Sequence, residues 1–191
     1  MQKVSKIKKT LLSKSFFRFW KYQFLIKSYN KKVKPYKINR EILNIGDVVF
    51  ALCFNPEEKK FYLIKQFRPF YFVRGKNLKH EIVGGLVDKG ESLTTALKRE
   101  IKEEIGVKTK KIVKLTTYCP VPGYSDEIVH VYYAEVEKIK FKSLYNKNEN
   151  EEIKIFKLTL SQLKKINKSK SIQNVLTKIS IYEYLKKFKK S

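Results

Sequence analysis

The sequence predicts a mixed α/β or α+β domain, and three observations lead to that prediction. Apolar residues make up 42% and aromatic residues 14% of the 191 residues, enough for a buried core despite a net charge of +25. Short apolar segments separated by turn residues indicate strands, and two longer segments repeat apolar residues at helical spacing. The order is several strands, a helix, more strands and a last helix, which differs from a regular βαβ series.

The first elements are strands. Residues 16–29 are rich in aromatic residues and predict a strand, and residues 46–54 predict a buried one. A turn at 55–58 leads into a returning strand at 60–67, so this pair is expected to form a hairpin.

The second half begins with a predicted loop at 68–79 and a short strand at 81–83, which the two following glycines are expected to end. Residues 92–105 predict a helix because apolar residues recur every three or four positions, and Gly106 suits its C-terminal end. Strands are then predicted at about 111–118, 128–137 and 152–158. A final helix is predicted from one apolar stripe, formed by Ile172, Val175, Leu176, Ile179, Tyr182 and Leu185.

The net charge belongs to the two ends of the chain. Residues 1–40 contain thirteen basic residues and no acid, and residues 153–191 contain eleven lysines and one acid. The middle, 41–152, holds nineteen basic and seventeen acidic residues. Only five of the 43 basic residues are Arg, the better reader of bases and phosphates. The basic ends can draw in anionic nucleotides or reflect the codon bias of an AT-rich genome, and we do not expect a nucleic-acid partner.

Cysteine usage and hydropathy suggest a cytoplasmic protein. Cys53 and Cys119 are too few for a disulfide framework, and no apolar run approaches the ~20 residues that cross a membrane. Lys14 and Arg18 interrupt the apolar part of the N-terminal segment, so a secretory signal is not expected. We interpret the two histidines, His80 and His130, as structural.

Acidic residues in the centre carry the candidate chemistry. Glu100, Glu103 and Glu104 stand at i, i+3 and i+4 on the predicted helix and therefore share one face. Clustered carboxylates repel each other unless a cation neutralises them, and ligand sets made of oxygen favour Mg²⁺ or Mn²⁺ over Zn²⁺. By itself this triplet is also what a solvated helix face would show.

The wider pattern resembles the Nudix hydrolases. The chain fits G-x5-E-x7-R-E-U-x-E-E-x-G-U at every position, with Gly85, Glu91, Arg99, Glu100, Ile101, Glu103, Glu104, Gly106 and Val107. The resemblance implies an α/β/α sandwich with a mixed sheet. It also implies Mg²⁺-dependent hydrolysis of a nucleoside diphosphate linked to another moiety, with Mn²⁺ as a substitute metal.

Motifs outside this pattern, the Nudix box at 85–107, resemble those of the ADP-ribose and nucleotide-sugar pyrophosphatases of the family. They are LIKQFRP at 63–69, EIVGG at 81–85, PVPGYSDEIVHVYYAEV at 120–136 and NENEEIKIF at 148–156. In the third motif Pro122, Gly123 and Glu127 fit the subgroup's loop and are expected at the substrate. Val121 departs from the subgroup's Ser, which removes one hydroxyl contact to phosphate or sugar.

The resemblance implies a metal and catalytic role for several residues. The expected metal ligands are the Gly84 carbonyl and the carboxylates of Glu100, Glu104 and Glu151, with Glu103 as a bridging or supporting ligand. A loop carboxylate is the expected general base. Glu149 fits that position best, and Glu127 is the alternative.

The same resemblance implies substrate contacts and a homodimer. Arg68 is expected to bind a phosphate, with a surface salt bridge as the alternative interpretation. Glu81 is expected to fix the sugar or to order the strand end. Arg40 lies where the subgroup places an arginine that reaches the partner subunit's nucleotide. Phe16 lies where an aromatic ring stacks on the base, although core packing would equally explain it.

These features divide the chain into two regions and define one main hypothesis. Residues 1–42 form a basic arm of antiparallel strands for dimerisation, and residues 43–191 form the Nudix domain. The predicted activity is hydrolysis of ADP-ribose or a related nucleoside diphosphate sugar to a nucleoside monophosphate and a sugar phosphate. The alternatives are a Nudix hydrolase of RNA 5′ ends, caps or other nucleoside diphosphate derivatives, and a non-catalytic nucleotide or RNA-binding module. A non-catalytic module would require the loss of at least one residue of the Nudix motif, and every position of the motif is present.

Overall fold

A computed structural model of the chain describes residues 3–146, 150–169 and 173–188. These residues form two compact units, one made of 1–47 with 119–128 and the other of 48–118 with 129–191. Within the described residues, no helix is both long and apolar enough to cross a membrane.

The first unit contains a three-stranded antiparallel sheet. Its strands are β1 (Lys3–Lys14), β2 (Arg18–Lys27) and β3 (Tyr36–Asn44), with β2 in the centre. The strand predicted at 16–29 is therefore confirmed. The segment 119–128 joins this unit because the Asp126 carboxylate accepts hydrogen bonds from the backbone N–H groups of Ile45 and Gly46, at 2.7 and 3.1 Å.

A seven-stranded sheet forms the centre of the second unit. In chain order its strands are β4 (Asp47–Asn55), β5 (Lys60–Lys65), β6 (Val83–Leu86), β7 (Thr109–Tyr118), β8 (Ile128–Val136), β9 (Ser143–Asn146) and β10 (Glu151–Leu158). Their spatial order is β7-β8-β4-β5-β10-β9, and β6 pairs with β4 outside that path. The predicted hairpin is confirmed by the antiparallel pairing of β4 with β5.

Three helices cover the two faces of this sheet, α2 (Leu93–Ile105), α3 (Leu160–Lys168) and α4 (Val175–Phe188). A short helix, α1 (Pro69–Val73), lies between β5 and β6 in the chain. Alternate residues of β4 point to opposite faces, so Ala51 packs in the core with Leu97 of α2. Leu52 packs in the second core with Leu163 of α3 and Ile181 of α4. Helix, sheet and helix thus form three layers, which confirms the predicted α/β/α sandwich.

Local capping sets the ends of α2. The Ser92 hydroxyl accepts a hydrogen bond from the Thr95 N–H at 3.2 Å, which satisfies one free donor of the first turn. Gly106 ends the helix in the left-handed region at φ +69°, and its N–H donates to the Lys102 carbonyl at 3.0 Å. The helix predicted at 92–105 is confirmed.

The strand predicted at 81–83 is shifted, and the glycines do not end it. β6 runs through Gly84 and Gly85 because the backbone of β4 lies too close for a side chain there. A Cβ added to Gly84, whose φ is +151°, would lie 2.0 Å from the Val49 carbonyl oxygen. The glycines therefore permit the strand pairing that the sequence analysis expected them to interrupt.

The predicted stripe of the last helix is wrong in part. α4 buries Thr177, Ser180, Ile181 and Tyr184 and exposes Val175 and Tyr182, while Ile172 lies outside the described residues. Two polar residues can occupy the buried face because their hydroxyls are satisfied. The Thr177 hydroxyl donates to the His80 carbonyl at 3.2 Å, and the Ser180 hydroxyl donates to the Leu176 carbonyl at 2.7 Å. The spacing of apolar residues alone cannot predict that such polar residues are buried.

We predict that Gly84→Ala lowers the free energy of unfolding by about 3 kcal/mol or more, because the new Cβ forces β6 away from β4. Urea unfolding followed by circular dichroism measures this change. Gly123→Ala is the matched control, since no atom beyond its own residue and its two chain neighbours lies within 4 Å of a Cβ added there. Equal stability of the two variants would contradict the close approach of β4 and β6.

Candidate active site

Glu104 is the buried carboxylate of the site. Its residue is 7% exposed, and its Oε2 accepts a hydrogen bond from the Gly84 N–H at 2.8 Å. Burial raises the pKa of Glu104 well above its ordinary value, and the negative charges of Glu100 and Glu151 raise it further. The Gly84 hydrogen bond and the positive charge of Arg68 oppose this rise. The charges of Glu100 and Glu151 thus act on the Glu104 carboxylate.

Glu100 lies one helical turn before Glu104 and against the next residue of β6. A Cβ added to Gly85 would lie 2.5 Å from the Glu100 Oε1 atom. Each glycine of β6 therefore makes room in a different way. Gly84 admits the backbone of β4 and binds Glu104, whereas Gly85 admits the carboxylate of Glu100.

Arg99 holds the loop between β6 and α2 to the helix. Its Nε and Nη2 atoms donate to the two oxygens of Glu91 at 3.2 and 3.1 Å. Its Nη1 atom donates to Glu100 at 2.8 Å and to Glu103 at 3.1 Å, and Nη2 also donates to the Leu86 carbonyl at 2.9 Å. The Arg99 hydrogen bonds lower the pKa of Glu91, and those same bonds, led by Glu91, raise the pKa of Arg99. One guanidinium therefore offsets part of the carboxylate charge.

Arg68 and Glu81 form a second charged pair in the same unit. The Nε of Arg68 lies 2.9 Å from Oε2 of Glu81, and the Glu81 side chain is only 6% exposed. Glu81 is held by backbone hydrogen bonds with Ile64 in both directions. The salt bridge considered for Arg68 from its residue type is present, and its partner is the acid of the EIVGG motif.

The donor set fits a hard divalent cation. Glu100, Glu104 and Glu151 could supply only oxygen ligands, and burial together with the charges of the other two acids raises the pKa of Glu104. Within the residues that the structure describes, no group of three His, Cys, Asp or Glu side chains has the arrangement of a formed metal site. In this structure Arg99 forms ion pairs with Glu100 and Glu103.

The remaining metal and base candidates of the second unit differ in position. Glu103 has a 44% exposed side chain and contacts Arg99. Glu151 begins β10, opposite Asn146 of β9, and is partly buried. Glu149 lies outside the described residues.

Other candidates belong to the first unit. Pro122 and Gly123 are exposed in the turn of the 119–128 segment, and Glu127 is partly buried there. Burial raises the pKa of Glu127. Arg40 is exposed and donates from Nη1 to the Asn39 carbonyl. Phe16 is 82% exposed, so the core packing considered for it does not occur in this structure.

Sequence reasoning missed two acids, one in each unit, that hold segments carrying candidate residues. Asp88 approaches Arg99 at 3.8 Å, and its N–H donates to Glu91 at 3.3 Å, so it closes the loop before α2. Asp126 holds the segment that carries Pro122 and Gly123. Its pKa is lowered because hydrogen bonds from Ile45, Asn44 and Gly46 outweigh the opposing effect of burial. Both are acids next to motif residues, which is the only sequence signal they carry.

The two histidines have contacts outside the carboxylate group. His80 packs edge-to-face on Phe156 with ring centroids 4.8 Å apart. Burial, and to a lesser degree Lys65 and Lys79, lowers the pKa of His80 to about 4, so it is neutral at physiological pH. The Nδ1 atom of His130 lies 3.3 Å from the Thr117 hydroxyl.

Comparison with known proteins identifies the family. The NUDIX domain family matches residues 45–177. An ADP-ribose pyrophosphatase of Bacillus subtilis is 33% identical over 149 residues, which cover 76% of this chain and 75% of the relative. A GDP-mannose pyrophosphatase of Citrobacter koseri is 27% identical over 186 residues, which cover 96% and 95% of the two chains.

A solved structure shares the fold. It is described as an ADP compounds hydrolase and matches with a TM-score of 0.75 at 16% identity, over 97% of this chain and 96% of the other. The chain belongs to the Nudix family of hydrolases. Within that family it is a pyrophosphatase, as its relatives are. The predictions of family, fold class and enzyme class are confirmed.

We predict that Glu104→Gln stabilises the metal-free protein at pH 8. The pKa of Glu104 is higher in the folded than in the unfolded chain, so stability is greatest below the unfolded pKa of about 4.3 and falls as the pH rises toward the folded pKa. Gln is neutral throughout and can still accept from Gly84. The variant should gain about 1 kcal/mol or more at pH 8 and nothing at pH 4.

Urea unfolding in EDTA at the two pH values measures this effect. Glu103→Gln is the matched control because it removes a carboxylate from the same helix at a far more exposed position. A Glu104→Gln variant that is no more stable than the original chain at pH 8 would show that Glu104 is not buried as a destabilising charge.

Proposed function

We propose that this enzyme hydrolyses the pyrophosphate bond of ADP-ribose or a related nucleoside diphosphate sugar, with release of a nucleoside monophosphate and a sugar phosphate. The observation that carries the proposal is the pair of carboxylates, Glu100 and Glu104, set against consecutive glycines of β6. The activities named for the two relatives, on ADP-ribose and GDP-mannose, support this substrate class.

The metal in this proposal is Mg²⁺, with Mn²⁺ as a substitute. Glu100, Glu104, Glu151 and the Gly84 carbonyl would hold it, with Glu103 in support. When bound, such ions offset pyrophosphate charge and make a coordinated water more acidic. Glu100 would have to exchange its contact with Arg99 for the metal, and Glu91 and Leu86 would keep Arg99 in place.

Arg68 would bind a phosphate of the substrate. The ion pair with Glu81 involves Nε and not the two terminal nitrogens, and the Arg68 side chain is 38% exposed. Glu81 would orient Arg68 through the same pair and could also accept a sugar hydroxyl. A buried acid that fixes an arginine in this way reduces the entropy lost when the phosphate binds.

A loop carboxylate would take the proton from the attacking water. Glu149 is the proposed base by resemblance, and Glu127 is the alternative. The raised pKa of Glu127 brings it nearer to neutral pH, which suits general base catalysis. Pro122 and Gly123 would shape the turn that faces the substrate.

The proposed assembly is a homodimer that forms through the strands of residues 1–42. Arg40 and Phe16 are both exposed in this chain, which suits contacts with a partner subunit's nucleotide. Light scattering of the purified chain tests this assignment, and a monomeric mass would contradict it. The expected compartment remains the cytoplasm.

We predict that a panel of ADP-ribose, UDP-glucose, GDP-mannose, NADH, 8-oxo-dGTP and capped RNA will show turnover of at least one diphosphate sugar with Mg²⁺. A coupled phosphatase assay detects the monophosphates, and mass spectrometry identifies both products. EDTA should abolish turnover. Hydrolysis of capped RNA without any diphosphate sugar would favour the RNA 5′-end alternative and contradict the proposal.

We predict that Gly85→Ala keeps the fold and impairs catalysis. The added Cβ displaces the end of the Glu100 side chain, which can rotate, so the free energy of unfolding should change by less than about 1 kcal/mol. Displacing a metal ligand should reduce metal affinity or rate by about 10- to 100-fold. Rates measured against Mg²⁺ concentration, together with urea unfolding, separate the two effects. Unchanged Mg²⁺ dependence and rate would refute Glu100 as a ligand.

A further inference from the structure

Gln66, which directly follows β5, is a buried amide whose oxygen is unpaired. The residue is 4% exposed, and its Oε1 atom has no hydrogen-bond donor among the residues that the structure describes. Asn55, a buried amide at the end of β4, shows the usual arrangement. It donates to the Val136 carbonyl at 2.9 Å and accepts from the Glu58 N–H at 2.7 Å. A buried acceptor without a donor destabilises the fold, so the Gln66 oxygen needs an explanation.

The pairing of β5 shows which face of the sheet Gln66 occupies. Ile64 of β5 lies opposite Ile155 of β10, and both belong to the core that packs against α2. Side chains two residues apart along an extended chain project to the same face, and Arg68 has extended backbone angles, φ −134° and ψ 120°. Gln66 and Arg68 therefore continue the row of Ile64 on the face that α2 covers.

Acidic residues flank this row on both sides. On β10, Glu151 precedes the core residue Ile153 by two positions and so projects to the same face. On the other side of β5, Glu81 is joined to Ile64 by two backbone hydrogen bonds, at 2.8 and 2.9 Å. Gln66 thus lies at the boundary between the apolar core and the charged groups of the site.

The charged groups at this boundary leave the Gln66 oxygen without a donor. The charges of Glu151 and Arg68 both act on Glu104 of α2, so that carboxylate lies over the same region. Ionised carboxylates only accept hydrogen bonds. The Nε of Arg68 is engaged by Glu81 at 2.9 Å. The donor for the Gln66 oxygen therefore has to come with a ligand.

We propose that the Gln66 oxygen accepts a hydrogen bond from a water molecule coordinated to the divalent cation of the site, which makes Gln66 a positioning residue for that cation. This inference rests on the proposed function and adds a residue to its metal site. Mg²⁺ usually keeps several waters when it binds to a protein, and each of them is a donor. Phosphate oxygens only accept, and a sugar hydroxyl would have to reach an oxygen that is fully buried.

The first test compares Mn²⁺ binding by Gln66→Met and Gln66→Glu, followed by electron paramagnetic resonance. Met is similar in size to Gln and has no oxygen, whereas Glu keeps an acceptor. Gln66→Met should bind Mn²⁺ about 10- to 100-fold more weakly, the loss typical of a group that hydrogen-bonds to a metal ligand. Gln66→Glu should bind Mn²⁺ at least as tightly as the original chain, because it retains the acceptor and adds negative charge.

Urea unfolding in EDTA separates this role from a structural one. Removing an acceptor that has no donor should leave Gln66→Met at least as stable as the original chain in the absence of metal. Gln162→Met is the matched control, because the Gln162 side chain accepts from the Thr159 N–H at 2.8 Å and caps α3. This control should lower stability and leave Mn²⁺ binding unchanged.

Three results would overturn the inference. Lower stability of Gln66→Met in EDTA would mean that the amide is paired within the protein. Weak Mn²⁺ binding by both Gln66 variants would mean that the acceptor is not what the site requires. Unchanged Mn²⁺ binding by Gln66→Met would exclude the hydrogen bond to a coordinated water, and a raised KM in that variant would instead assign the oxygen to a sugar hydroxyl. These measurements need no substrate, so they are independent of the substrate panel, in which a lack of turnover of every diphosphate sugar would defeat the proposed function.

Discussion

The hydrogen bond from the Gly84 N–H to the Glu104 carboxylate is the contact on which the rest of the site depends. It lies beside two close approaches that exclude side chains from β6, because Gly84 makes room for the backbone of β4 and Gly85 makes room for the Glu100 carboxylate of α2. Once Glu104 is fixed, the pitch of the helix places Glu100 over the neighbouring glycine. The spacing of the Nudix motif therefore follows from the packing of one helix, α2, against one strand, β6.

This packing keeps carboxylate charge in a place where it destabilises the fold. Burial and neighbouring acids oppose ionisation of Glu104, and Arg99 offsets the charge of Glu91, Glu100 and Glu103 only from the helix surface. A folded chain tolerates such a group where function needs it, at a cost in stability that core packing must cover. The two apolar cores that enclose the sheet supply that packing on both faces.

The basic residues and the candidate site lie in different parts of the chain. Thirteen basic residues lie in the arm, while the carboxylates lie in the sandwich. The 119–128 segment, which carries Pro122, Gly123 and Glu127, is bound through Asp126 to Ile45 and Gly46, which directly follow β3 of the first unit. The strands of residues 1–47 and the turn proposed to face the substrate therefore belong to one structural unit.

The sequence alone determined the family, the layered fold, the hairpin and α2 with both its ends, because these depend on periodicity, caps and a fixed motif spacing. It did not determine that β6 continues through Gly84, that α4 buries Thr177 and Ser180, or that Arg68 pairs with Glu81. Those outcomes depend on groups distant along the chain, such as the Val49 carbonyl and the His80 carbonyl. The sequence also did not determine that the rings around Tyr71 are exposed, since only the tertiary structure decides which of four consecutive apolar residues, 70–73, is buried.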